Sequence, residues 1–146
     1  MPLPAATHLI LQPVVVLVAW TLVMWGWMIA TRLPAMRAAG IRMGALVGTR
    51  GSDGDRVLPA SAQWKAHNYN HLLEQPTIFY ALCGVIAFTG SGVAVNVALA
   101  WGYVVLRIAH SMVQATVNRV LPRFVLFVLS TLCLAALTLH AAMAVF

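Results

Sequence analysis

The stretch His67-Asn68-Tyr69-Asn70-His71-Leu72-Leu73-Glu74-Gln75-Pro76-Thr77-Ile78-Phe79-Tyr80 begins polar and ends apolar. It carries the only glutamate of the chain, at a point where the surrounding sequence has become lipid-compatible. An ionisable group at mid-bilayer costs about 2.5–3.5 kcal/mol on insertion scales, so such groups turn inward and find partners. Locating the partner of Glu74 is most of the functional reading.

Composition sets the class. Of 146 residues, 62% are hydrophobic and 8% are charged, too few charges for the surface of a soluble domain of this length. The chain reads as an all-α integral membrane protein, a single domain over residues 1–146. The net charge of +6 is unevenly placed and has no aromatic-interleaved basic patch, which argues for membrane topology and against nucleic acid. Cys83 and Cys133 lie in apolar runs, outside any CxxC spacing, and read as small buried hydrophobes without a disulfide. The N-terminus lacks a basic region and a small-x-small cleavage site, so the first apolar run reads as a span and not as a signal peptide.

Four spans follow from the hydropathy pattern, at about 9–33, 64–88, 93–119 and 122–145. Pro13 suits a first helical turn and Pro34 a stop. Ser61 after Pro59 suits an N-cap, and Pro76 predicts a kink because it removes the bond to the Leu72 carbonyl. Gly40, Gly44 and Gly48 fall in a loop interrupted by Arg42. Short connections imply an antiparallel four-helix bundle. Arg32, Arg37, Arg42, Arg50, Arg56 and Lys65 flank the first loop, and Arg119 and Arg123 the third, while the second loop and both ends have no Lys or Arg. The positive-inside rule puts loops one and three in the cytoplasm and both termini on the non-cytoplasmic side.

Two polar stripes stand out. His67, Asn70, His71 and Glu74 share one face of the second span; Tyr103, Arg107, His110, Gln114 and Asn118 share one face of the third. At ~1.5 Å per residue, Glu74 lies ~14 Å in from Lys65, and His110 and Arg107 lie ~14 and ~18 Å in from Arg119. The spacing predicts that Glu74 meets Arg107, His110 or both. Surplus positive charge then remains near the loop end, where Arg32, Arg119, Arg123, His67 and His71 would favour an anionic ligand. A purely structural ion pair has the same signature in sequence. A metal reading through His67, His71 and Glu74, with His110, is the weaker alternative, since helical His pairs at this spacing arise by accident; no metal is expected. No Ser or Cys has a His and carboxylate arrangement suited to a nucleophile, and Ser111 points away from adjacent His110.

Asn70-x3-Glu74-x-Pro76-x2-Phe79-Tyr80 resembles the signature of the MAPEG family, the membrane-associated proteins in eicosanoid and glutathione metabolism. Arg107-x2-His110 is similar to the Arg-x2-His of its prostaglandin E synthase-like members. Length, span layout and the basic first loop agree, so the resemblance covers nearly the whole chain and points to the bacterial-type branch, hence an inner or plasma membrane. It implies a homotrimer of four-helix protomers with glutathione held between neighbours near the cytoplasmic side. Asn70, Glu74, Arg107, His110, Gln114 and Arg32 would bind it, and Arg123 would activate its thiol. The implied activity is a glutathione-dependent transferase or peroxidase acting on a lipophilic electrophile that arrives from membrane lipid. Three positions depart from the pattern. Gln114 stands where conjugating members carry a tyrosine, and Phe127 occupies a position that carries an aromatic hydroxyl. Lys65, His67 and Asn68 stand near a customary arginine. The alternative is a non-catalytic lipid-binding or scaffold protein on the same fold.

Overall fold

A computed structural model describes residues 5–146, with side chains from His8 onward. Five α-helices follow in order: α1 (Ala5–Ala38), α2 (Ala60–Leu72), α3 (Gln75–Phe88), α4 (Ala94–Thr116) and α5 (Val120–Val145). Short 3-10 turns at Met43–Ala45 and Gly51–Arg56 structure the first loop, and there is no strand among the described residues. Four segments are long and apolar enough to cross a membrane: His8–Ala38, Ala60–Phe88 (α2 and α3 together), Ala94–Thr116 and Val120–Val145. The chain is an integral, multi-pass helical membrane protein.

Several boundaries differ from the sequence reading for local reasons. α1 runs through both Pro13 and Pro34, since membrane helices tolerate interior prolines. The stop comes at Gly40, with φ of +69°. There the Ile41 N–H donates to the Met36 carbonyl and the Gly40 N–H to the Arg37 carbonyl, both at 3.0 Å. This paired closure needs a residue at ease in the left-handed region. Gly90 ends α3 by the same device. α2 starts at Ala60 with Pro59 in the cap position, so Ser61 lies inside the first turn and not at the cap. The strain at Pro76 is relieved upstream, as a full break at Leu73–Glu74, and Pro76 sits in the first turn of α3, where its missing N–H costs nothing.

The closest pairing is α4 with α5, while α1 packs on α2, α3 and α4, and α3 also meets α5. The core holds Leu17, Met24, Phe79, Ile86, Val104 and Leu137, with the Phe79 ring stacked on Tyr103 at 4.4 Å. Cys83 and Cys133 are free thiols. A polar node crosses this core: Ser111 Oγ accepts from Trp20 Nε1 at 2.9 Å and from Asn68 Nδ2 at 2.6 Å, tying α1 and α2 to α4.

Candidate functional site

The α4 stripe faces inward as its spacing predicts. Tyr103, Arg107, His110 and Gln114 are all buried, Arg107 completely. The α2 stripe does not face it: His67, Asn70 and Glu74 are exposed on the protomer surface. The expected Glu74–Arg107 ion pair is absent, and the one ion pair among the described residues joins His67 Nε2 to Asp55 Oδ1 at 2.8 Å. The reason is the rotation of α2. Its inward side is set by Ala62, Ala66, Asn68 and Leu72, and Asn68 is drawn in by Ser111.

Arg107 instead serves the helix break. Interrupting the helix at Leu73–Glu74 deprives the His71 carbonyl of its usual donor four residues on. Arg107 Nη2 donates to that carbonyl at 2.9 Å and lies 3.3 Å from His71 Nδ1. A cation at a helix C-terminus also complements the helix dipole. Arg107 lies over the Phe127 ring at 5.9 Å, a cation–π arrangement. Its Nε and Nη1 meet no acceptor among the described residues.

Next to this cap is a cleft of about 210 Å³, lined by His71, His110, Arg123, Phe127, Phe124 and Val120. The His71 and His110 rings are 4.9 Å apart, and Phe127 is 5.7 Å from His71. Arg123 is placed by the turn before α5, where Asn118 adopts φ of 50° and its side-chain oxygen accepts from Arg123 Nη1. Arg123 Nε is shielded and meets no acceptor among the described residues. Among the described residues no carboxylate lines the cleft. The arrangement is a cationic and imidazole-bearing hollow with an aromatic wall, suited chemically to an anion attached to an apolar body.

The other expected residues are dispersed. Gln114 is buried with its Oε1 unpaired. Arg32 does not line the cleft; its Nη2 donates to the Gly51 carbonyl at 2.6 Å, at a separate cavity formed by the first loop. His67 contacts Asp55 and His71 lies beside Arg107, and no group of three His, Cys, Asp or Glu clusters among the described residues. Sequence reasoning placed His71 at the cationic mouth but did not pair it with Arg107, and it gave Asn68 no part in the core. The available signal for His71 was Pro76: a break there leaves carbonyls one turn earlier in need of a buried cation.

The MAPEG family model matches residues 10–143. The chain therefore belongs to the MAPEG family, and its fold and four membrane-crossing segments are those the sequence resemblance implied. No curated protein and no solved structure shows significant similarity to it.

Proposed function

We propose that this protein is a glutathione-dependent transferase or peroxidase for a lipophilic electrophile, working as a homotrimer with loops one and three in the cytoplasm. The observation that carries the reading is the cleft in which Arg123, His71 and His110 converge with no carboxylate opposite them. A guanidinium beside a thiol favours the thiolate, which is the nucleophile. The thiolate sulfur attacks the electrophile, and the leaving group departs with its electron pair. His110 and His71 would hold the anionic tripeptide, with Arg107 fixing His71 from behind. Asn70 and Glu74 face outward at membrane depth, where a carboxylate against lipid is costly. A neighbouring copy would cover them and bring them to a shared ligand; their outward position is what supports this assembly. Arg32, engaged with Gly51, has no part in this cleft.

The test is turnover of glutathione with a chlorinated aromatic electrophile by the purified protein. A rate above buffer that falls about tenfold or more in Arg123→Ala, the effect of one unit in thiol pKa, is the expected result. A rate equal to buffer, with no glutathione-dependent thermal shift, overturns the reading. The second reading, a non-catalytic lipid-binding member, is favoured by the missing hydroxyls at Gln114 and Phe127. It requires Arg123→Ala to leave ligand affinity and melting unchanged.

A further inference from the structure

The first loop folds back over the end of α1 and forms an open hollow of about 400 Å³ that the reaction proposed above does not use. This is large enough for a substantial part of a lipophilic ligand. Met36 and Ile41 wall it from the α1 side, and Leu46, Val57 and Leu58 from the loop. Arg32 and Arg50 line the same cavity.

Position and charge narrow the occupant. No Lys, Arg, Asp or Glu precedes Arg32 in the chain, so Arg32 marks where α1 leaves hydrocarbon. Its guanidinium is fixed by the Gly51 carbonyl at 2.6 Å. The guanidinium lies close to Gly54, where a Cβ would stand 2.8 Å from Arg32 Nη2 and oblige it to shift. Asp53 also lines the cavity, but its Oδ2 accepts from the Arg50 backbone N–H at 2.7 Å. Asp55 accepts from Gln63 and contacts His67. Both loop carboxylates thus have donors of their own, and the arginines do not pair with them. On the outside, Met43 and Val47 are exposed, Val47 at 91%, between exposed Arg42 and Arg50. Apolar side chains flanked by arginines are the composition of a segment that lies in a membrane interface.

We infer that the loop cavity binds one anionic glycerophospholipid of the surrounding bilayer, its phosphate on Arg32 and Arg50 and its acyl chains along the aliphatic walls. Met43 and Val47 seat the loop in the leaflet that supplies the lipid. The charge selects anionic over zwitterionic headgroups. The walls select a lipid over a free phosphate, which would leave five aliphatic side chains facing an empty hollow. The inference is independent of the thiol chemistry.

Native mass spectrometry of the full-length protein in detergent tests it, with phosphatidylglycerol and phosphatidylcholine of matched chains and glycerol phosphate as a soluble competitor. Phosphatidylglycerol should be retained about tenfold more tightly than phosphatidylcholine. Arg50→Gln should lose about fivefold of that preference, the contribution of one interfacial arginine. Val57→Trp, which fills the cavity, should lose the tight site. Equal retention of the two lipids, full preference in Arg50→Gln, displacement by glycerol phosphate at lipid-like concentrations, or tight binding in Val57→Trp would each overturn the proposal. If Val57→Trp does not fold, Leu46→Trp provides a fluorophore on the cavity wall. Its quenching by brominated phosphatidylglycerol beyond that by brominated phosphatidylcholine supports the site, and equal quenching overturns it.

Discussion

Arg107 and His71 are joined twice: the guanidinium donates to the His71 carbonyl at 2.9 Å and lies 3.3 Å from the ring Nδ1. The first contact closes a helix end and the second orients an imidazole at the cleft. A helix break imposed by Pro76 thereby becomes a fixed position for His71.

Truncating Arg107 should therefore destabilise. Charged hydrogen bonds contribute about 1.5–3 kcal/mol and an orphaned carbonyl adds its own cost, so Arg107→Ala should lose roughly 2–4 kcal/mol. Arg107→Met keeps most of the volume and also sheds a buried charge, which partly offsets the lost cap; about 1–2 kcal/mol is expected. Thermal melts in detergent decide. A methionine variant as stable as the parent would show that the cap contributes no more than the charge costs.

Ser111 is the second fragile point. It is fully buried and accepts from both Trp20 and Asn68. Interhelical hydrogen bonds in membranes average only about 0.6 kcal/mol, but Ser111→Ala strands two shielded donors at once, and orphaned donors cost more. Roughly 1–3 kcal/mol should be lost, with a change in Trp20 emission. Ser111→Thr, which retains the oxygen, should lose less. Equal melting of all three proteins would refute the node.

Glu74→Gln should leave the protomer's own stability within about 0.5 kcal/mol, the usual range for a surface change. Any effect belongs to association or ligand affinity. Melting in a detergent that holds the protein as protomers, beside cross-linking in bilayers, separates the two. A protomer loss above about 2 kcal/mol would mean that the carboxylate has a buried partner after all.

The loop latch gives the pH dependence. Asp55 is held below its ordinary value of 3.8, chiefly by the Gln63 hydrogen bond and then by His67. A depressed carboxylate contributes stability that is full above its unfolded value and is lost as pH falls through the folded one. Hydrogen exchange at Gly51–Arg56 should therefore stay slow at neutral pH and rise only below about pH 4. Asp55→Asn should exchange fast at every pH. Opening centred between pH 5 and 8 would contradict the assignment.

The four crossings were legible because lipid exposure demands long apolar runs, and the α4 stripe was legible because four of its polar residues recur every three or four positions with nothing to compete for the inward face. On α2 two faces competed. His67, Asn70 and Glu74 read as the inward one by count, yet Asn68 took that place because Ser111 of α4 accepts from it, with the same oxygen that accepts from Trp20 of α1. Such a three-way contact leaves no periodic trace. Pro34 misled in the same manner: a proline looks like a stop, but Met36, Arg37 and Ala38 are good helix formers, and the true end waits for a residue that accepts positive φ. Arg123 and His71 were legible together at the loop end from their places in the chain, but the turn that carries Arg123 there was not, because Asn118 read as one more residue of the polar stripe and not as a left-handed turn.

The interruption at Leu73–Glu74 has one more consequence. A bilayer interior has no water to quench exposed peptide groups, so a broken membrane helix must carry its own internal solvent. Arg107 is that solvent: a polar molecule's worth of donors on a tether, delivered from the opposite wall. The second crossing is thus two rods on a wetted joint, and the imidazole at the joint moves only as far as its tether allows.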